Sequence, residues 1–124
     1  VKKPKSMLKE KSDPMKTIGI GPIKELTLPD AIDEAMAEKG KTIYKEKCTL
    51  CHKPNKKFIG PPLKGIFKKR NPAWVMNMIL NPEEMVQKDP IAKQLLLEYK
   101  GSPMINQNLT QQEARAILEY LRTL

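Results

Sequence analysis

Long apolar runs, strand-like alternation and aromatic side chains are all scarce in this sequence. No run approaches the roughly 18 apolar residues of a membrane-spanning helix, so we expect no transmembrane segment. No segment alternates between apolar and polar residues for long enough to form a strand, which predicts an all-α fold. Aromatic residues make up only 5% of the 124 residues, so we expect a thin core unless an apolar cofactor completes it.

Negative charge is also in short supply, with 14 acidic residues against 23 lysines and arginines. The formal net charge of +9 is spread along the chain. Such a charge is informative about the molecules that the protein binds and not about its fold. Nucleic acid is one conceivable partner, but the chain has no zinc-finger spacing, no basic strand with interleaved aromatics and no basic helix with heptads. We therefore expect no nucleic acid partner and a surface that attracts an acidic protein.

The first 29 residues differ in composition from the rest and are predicted to form an extended segment or linker. Pro4, Pro14 and Pro22 interrupt any helical period there. The helical domain is predicted to span residues 30–124. Because the sequence begins at Val1 rather than Met, we expect a processed product or a domain excised from a longer protein. If the first segment is the remnant of an anchor, the molecule would associate with a membrane surface.

Helix-start signals recur through the second part of the chain. Asp30 is the expected N-cap of the first helix. Asn71 and Asp89 each precede a proline, which is favoured in the first turn of a helix. The sequence Thr-Gln-Gln-Glu that begins at Thr110 fits a capping box before the last helix. Between the first two of these helices, prolines and glycines predict a loop.

Both cysteines and the only histidine of the chain lie together in Cys48-Thr49-Leu50-Cys51-His52. Two thiols three positions apart at the end of a helix lie about one turn apart on the same side, which suits thioether bonds to the two vinyl groups of one haem. The next residue then places an imidazole against the iron. This spacing is the haem-attachment signature, so it predicts one covalent haem c held by Cys48 and Cys51, with His52 as an iron ligand.

Three other interpretations of this motif are weaker. A redox dithiol of the thioredoxin type expects a βαβ context, and no strands are predicted. A structural zinc site needs four ligands, and the chain has no further Cys or His to complete one. A plain disulfide between Cys48 and Cys51 closes so short a loop that it restrains the unfolded chain very little.

The second axial position of the iron has several candidate ligands. A second histidine is excluded by the count, which leaves the seven methionines, the lysines or a ligand from solvent. We favour Met104, because it lies in a proline-containing loop before the last helix and because thioether with imidazole is an electron-transfer ligand pair. Met76, Met78 and Met85 lie on or beside helices, where core filling is the simpler interpretation.

From residue 31 to residue 124 the sequence resembles the class I bacterial c-type cytochromes, the monohaem cytochrome c family. Several motifs in the expected order carry this resemblance, and only the haem motif is specific by itself. They are Gly40-Lys41-x-x-Tyr44, the haem motif, Gly60-Pro61-Pro62-Leu63, Arg70, Trp74, Met104, Leu109-Thr110-x-x-Glu113 and the closing run from Ile117 to Arg122.

The resemblance implies the cytochrome c fold, in which four to five helices pack around the haem and the first and last helices cross. Gly40 and Tyr44 would meet Ile117 and Tyr120 at that crossing, because a residue without a side chain lets two backbones approach closely. Tyr99, beside the loop that holds the second ligand, would hydrogen-bond or simply pack.

The resemblance also implies roles for single residues of the haem pocket. The carbonyl of Pro61 would accept the ring N–H of His52 and so set the orientation of the imidazole. Leu63 would pack on the haem. Arg70 and Trp74 would lie near the haem propionates, the alternative being a surface arginine and a core tryptophan.

These features predict an electron carrier between respiratory partners rather than an enzyme. With His52 and Met104 both bound, the iron would cycle between Fe(II) and Fe(III) with little change in ligation. Lysines near the haem would steer docking to an acidic redox partner. They are Lys53, Lys56, Lys57 and Lys64.

The sequence leaves two rival functions open. A gas sensor or peroxidase-like protein would have an open sixth position, but the chain has no distal histidine for such work. Alternatively, the chain is the electron-entry domain of a larger reductase or oxidase. Thioether attachment implies maturation outside the cytosol, so we expect a periplasmic protein.

Overall fold

The computed structural model describes residues 15–49, 52, 60–101 and 104–124. Five α-helices lie in these ranges: α1 (Glu34–Lys47), α2 (Pro72–Leu80), α3 (Pro82–Lys88), α4 (Pro90–Glu98) and α5 (Gln111–Leu121). A short 3₁₀ helix, Ile66–Lys68, precedes α2. The described ranges contain no strand, so the predicted all-α class is confirmed. None of the described helices has the length and apolar character needed to cross a membrane.

Polar side chains cap the helices where the sequence predicts it. In the capping box of α5, Thr110 Oγ1 accepts from the backbone N–H of Glu113 at 3.1 Å. Glu113 Oε1 in turn accepts from the backbone N–H of Thr110 at 2.9 Å. Asn71 and Asp89 cap α2 and α4 through their side-chain oxygens, and a proline follows each of them. These local signals therefore set three of the five helix starts.

The N-cap prediction for the first helix is wrong by three residues. Asp33 caps α1, accepting from the backbone N–H of Met36 at 3.0 Å. Asp30 lies outside the helix, where its carbonyl accepts a hydrogen bond from the Arg122 guanidinium at 3.2 Å. Helix α1 therefore begins at the second of two nearby aspartates, the one whose carboxylate bonds the first turn.

Helix α3 was not predicted from the sequence. Asn81 ends α2, and Pro82 directly after it occupies the first turn of α3. Glu83 and Glu84 follow in that first turn, where negative charge favours a helix N-terminus. The 3₁₀ helix similarly interrupts a segment that was expected to be loop throughout.

Helices α1 and α5 cross at Gly40, as the resemblance predicts. A Cβ at Gly40 would overlap the carbonyl of Ala116 and lie 2.9 Å from the backbone nitrogen of Ile117. One turn along α1, the ring of Tyr44 lies 5.1 Å from the ring of Tyr120, measured between centroids. This contact holds the two ends of the domain together.

The described part of the N-terminal segment, residues 15–29, lies along α2 and α3. Asn77 is fully buried, and its amide donates to the carbonyls of Ile18 and Ile23, each at 2.9 Å. Its carbonyl oxygen accepts from the backbone N–H of Ile23 at 2.9 Å. Ile23 itself is buried in the main core. The described part of this segment is therefore packed on the helical domain.

Candidate haem site

A cavity of about 390 Å³ opens at the centre of the domain, and all five helices contribute residues to its lining. We call it the central cavity. Its volume lies in the range of small-molecule and cofactor sites. Eight residues expected from the sequence to contact the cofactor line it: Cys48, His52, Pro61, Leu63, Arg70, Trp74, Tyr99 and Met104. The ninth, Cys51, lies outside the described residues, as do Lys53, Lys56 and Lys57.

His52 presents its ring to the central cavity in a defined orientation. Nδ1 lies 2.9 Å from the carbonyl oxygen of Pro61. Because a carbonyl only accepts, Nδ1 must carry the hydrogen, and Nε2 is left with the lone pair that a metal needs. Burial lowers the pKa of His52, while the hydrogen bond to Pro61 raises it in part. Burial therefore favours the neutral imidazole.

Cys48 occupies the C-cap of α1, where its backbone N–H donates to the carbonyl of Tyr44 at 2.8 Å. The carbonyl of Cys48 accepts from the backbone N–H of His52 at 3.0 Å. The end of α1 thereby brings the thiol and the imidazole to the same cavity. Tyr44 closes this corner, since its hydroxyl donates to the carbonyl of His52 at 3.4 Å. Burial raises the pKa of Tyr44 to about 12.

Met104 lines the central cavity from the connection between α4 and α5. Left-handed backbone lies on both sides of it, with φ of 58° at Lys100, 77° at Gly101 and 56° at Asn108. At the first of these turns, the N–H of Gly101 donates to the carbonyl of Leu96 at 2.7 Å. The connection is therefore shaped by sharp turns that bring a thioether to the cavity.

Met78 of α2 also lines the central cavity, so two thioethers face the same space. The sequence pattern favours Met78 as core filling, because it belongs to the apolar face of its helix. The face of α2 that holds the core and the face that walls the cavity overlap, and periodicity alone does not separate them. The sequence pattern therefore does not mark three lining residues of α2: Val75, Met78 and Ile79. Ile66 of the 3₁₀ helix and Leu96 of α4 also line the cavity and were not predicted.

Arg70 and Trp74 stack at one side of the cavity, with the guanidinium carbon 5.6 Å from the centroid of the indole ring. One guanidinium nitrogen, Nη1, donates to the carbonyl of Lys69 at 3.0 Å. Nε of Arg70 is buried and has no hydrogen-bond partner among the described residues. The indole N–H of Trp74 instead donates to Asp89 at 2.9 Å. Arg70 therefore retains a donor for an acidic group in the cavity, and Trp74 does not.

These residues fit a haem. The walls are largely apolar, Nε2 of His52 has a lone pair for iron, and the orphaned Nε of Arg70 suits a propionate carboxylate. Cys48 and Cys51 would hold the haem covalently, and the bound group would supply one-electron chemistry. A helical domain that encloses such a cavity beside a Cys-x-x-Cys-His motif is a c-type haem protein.

Comparison with known proteins agrees with this class. The family model for cytochrome c matches residues 37–124. A cytochrome c from Rhodothermus marinus is 45% identical, with a TM-score of 0.79 over 83% of this chain and 88% of that one. An engineered form from the same organism, bound to a carbene intermediate, is 43% identical, with a TM-score of 0.76 over 83% and 88% of the two chains.

A cytochrome c domain from Pseudomonas putida is 30% identical, with a TM-score of 0.62 over 68% of this chain and 85% of that one. No curated protein sequence matches the chain. The chain belongs to the cytochrome c family, whose members bind one covalently attached haem c. Membership in the family and the shared fold support haem-based electron transfer.

Proposed function

We propose that this chain shuttles electrons between respiratory partners through one haem whose iron is bound by His52 and Met104. The observation that carries the proposal is that both side chains line the same cavity as Cys48. Thioether with imidazole is a ligand pair of electron-transfer haems, and it raises the reduction potential. If His52 and Met104 both bind the iron, no coordination site would be left for a substrate.

The protein backbone orients the two proposed ligands independently of electron transfer. The carbonyl of Pro61 holds the His52 ring through Nδ1 and keeps Nε2 unprotonated. The turns at Lys100 and Asn108 bring Met104 into the cavity. A haem held by these two side chains would change its ligation little when an electron arrives or leaves.

The visible spectra of Met104→Ala and Met78→Ala test the ligand assignment. These two variants remove a thioether from the same cavity, so Met78→Ala is the matched control. We expect Met104→Ala to lose the sulfur-to-iron absorption band of the ferric protein and to bind carbon monoxide when reduced. Met78→Ala should keep the band and exclude carbon monoxide.

Retention of the band in Met104→Ala would overturn the proposed ligand. Carbon monoxide binding by the unmodified reduced protein would instead favour a gas-binding function. A preparation that releases its haem on denaturation would contradict covalent attachment, and the mass of the denatured chain measures this.

We also propose that the redox partners have acidic docking surfaces. Lys47 and Lys69 line the central cavity, and both are exposed. Lys64 is exposed beside the lining residue Leu63. In a chain of net charge +9, these lysines surround the site of electron exchange with positive potential.

Electron transfer to two small oxidants of opposite charge tests this surface. Oxidation of the reduced protein by ferricyanide should slow as salt is added, whereas oxidation by a cationic cobalt tris-phenanthroline complex should not. Lys69→Glu should slow the ferricyanide reaction several-fold. Lys24→Glu makes the same change in net charge away from the cavity lining and should have a smaller effect. Equal effects of the two variants would show that only net charge matters.

For location we propose the periplasm, since the thioether bonds are made outside the cytosol. Fractionation of the source cells, followed by detection of covalent haem, measures this directly. The size of the haem-bearing polypeptide in the same fractions distinguishes a separate carrier from a domain of a larger reductase or oxidase.

A further inference from the structure

Asp89 is a buried carboxylate to which electron transfer assigns no role. Its exposure is 2%, and it lies at the junction where α3 ends and α4 begins. Oδ2 accepts two hydrogen bonds, one from the indole N–H of Trp74 and one from the backbone N–H of Ala92, each at 2.9 Å. Helix capping needs only the second of these bonds.

Both donors belong to the wall of the central cavity. Trp74 is 4% exposed and Ala92 is fully buried, and both line the cavity. Asp89 itself does not line the cavity. Its carboxylate lies behind the lining residue Trp74 and is hydrogen-bonded to it. The bond from Trp74 joins α2 to the start of α4, and these two helices supply much of the apolar lining.

Within the described ranges, the Asp89 carboxylate has no ion-pair partner. Among the described residues, no lysine or arginine nitrogen lies within 4.0 Å of its carboxylate. The other buried carboxylate, Glu119, differs in this respect, since it pairs with Arg115 at 2.6 Å and Arg122 at 3.1 Å. The field of an unpaired charge in a low-dielectric interior extends further than that of a neutralised one.

We propose that Asp89 is a positioning residue that fixes Trp74 in the cavity wall, and that its charge lowers the reduction potential of the haem. A nearby negative charge favours the ferric state, which carries one more positive charge than the ferrous state. The indole bond prevents Trp74 from turning its N–H toward a propionate, and it leaves Arg70 as the donor there. This inference rests on the haem-based electron transfer proposed above.

The reduction potential of Asp89→Asn tests the electrostatic part. Asparagine keeps an oxygen for the indole and the helix cap but carries no charge. We expect the ratio of reduced to oxidised protein at a fixed electrode potential to rise about tenfold, which corresponds to 59 mV for a one-electron couple. The matched control is Glu84→Gln, which removes a charge from the exposed surface of the neighbouring helix and should change the ratio less than about twofold. A ratio that changes as little in Asp89→Asn, or that falls, would overturn the proposal.

Hydrogen exchange at the indole tests the positioning part. The chain has one tryptophan, so a single indole N–H signal reports on this contact in proton–nitrogen NMR spectra. The signal should be protected from exchange in the wild type and in Asp89→Asn. It should exchange at least about tenfold faster in Asp89→Ala, which leaves the N–H without its acceptor. Equal protection in the wild type and Asp89→Ala would mean that Asp89 does not hold the ring.

The wild type and Asp89→Asn suffice if Asp89→Ala does not fold. An unprotected indole signal in the wild type, or an unchanged potential in Asp89→Asn, would each contradict the proposal. The wild type and Asp89→Asn are compared only if their visible spectra show the same iron ligation. Failure of the Met104 assignment would therefore leave this test intact.

Discussion

Gly40 of α1 lies so close to Ala116 of α5 that a Cβ on Gly40 would overlap the Ala116 carbonyl. The obstacle is backbone rather than a flexible side chain, so it has little freedom to move aside. Helix α5 would have to shift, and its residues Ile117 and Leu121 line the central cavity. A change at the helix crossing would therefore also move residues that line the cofactor site.

Gly40→Ala should therefore destabilise the protein in spite of the better helix propensity of alanine. We expect a loss of about 2–3 kcal/mol in the free energy of unfolding, measured by denaturant titration of the haem protein. Glu38→Ala, at an exposed position of α1, should change it by less than about 0.5 kcal/mol. A Gly40→Ala variant as stable as the wild type would show that the two helices can separate without cost.

Asn77→Ala should release the N-terminal segment from α2. The change leaves the N–H of Ile23 and the carbonyls of Ile18 and Ile23 without their partner, which costs about 2–4 kcal/mol. We expect trypsin to cleave faster at Lys16 and Lys24. Mass spectrometry of the fragments over time measures this rate.

The matched control for this release is Asn81→Ala, which removes one bond to the segment, the 3.1 Å contact with the carbonyl of Ile20. Its effect on cleavage should be smaller. Equal cleavage of Asn77→Ala and the wild type would mean that apolar contacts, such as that of Ile23 with the core, hold the segment by themselves.

Glu119 should make the stability of the fold depend on pH in the acid range. Burial raises the pKa of its carboxyl, but hydrogen bonds from the Asp33 backbone and from Arg115 and Arg122 outweigh this and hold the pKa below its ordinary value. The folded state therefore keeps the group ionised where the unfolded state takes up a proton. Its contribution is complete above the unfolded pKa of about 4.3 and is lost as the pH falls through the folded pKa.

Glu119→Gln should be about 2 kcal/mol less stable than the wild type at pH 7. The difference should shrink steadily below about pH 4, as urea titrations at a series of pH values measure. Glu84→Gln, which removes an exposed pair with Lys88, should show a smaller pH-dependent difference because solvent screens that pair. A difference for Glu119→Gln that stays constant down to pH 3 would rule out this role.

Arg70→Gln should lower the reduction potential, because it removes a cation from the cavity wall and so favours the ferric state. We expect the ratio of reduced to oxidised protein at a fixed electrode potential to fall about threefold. Lys68→Gln removes an exposed charge that does not line the cavity, and its effect should be smaller. Equal effects of the two changes would favour the alternative in which Arg70 is an ordinary surface arginine.

Short sequence motifs at helix starts predicted much of the secondary structure. The caps at Asn71, Asp89 and Thr110 were correct because each depends on a side chain and a backbone group two or three residues away. The cap of α1 was placed wrongly because Asp30 and Asp33 are both cap-forming residues before the same helix, and only the structure shows that Asp33 bonds the first turn. Helix α3 was missed because one Asn-Pro pair both ends a helix and begins another.

The same distinction applies to the site. The sequence alone predicts a haem, its attachment to Cys48 and Cys51 and the ligand His52, because five consecutive residues carry the whole chemical requirement. The full lining of the cavity does not follow, because Met78 lies on the apolar face of α2, where the sequence pattern favours core filling, and only the fold brings it to the same cavity as Met104. The bond from Trp74 to Asp89 joins residues on different helices, and no pattern of spacing shows it.

The sequence by itself determined the helical class, most helix starts and the cofactor, since these depend on short-range chemistry. Only the tertiary structure decided the shape of the cavity, the burial of Asp89 and the place of the N-terminal segment. Those features depend on how helices pack, and packing is settled by contacts between residues that are distant along the chain.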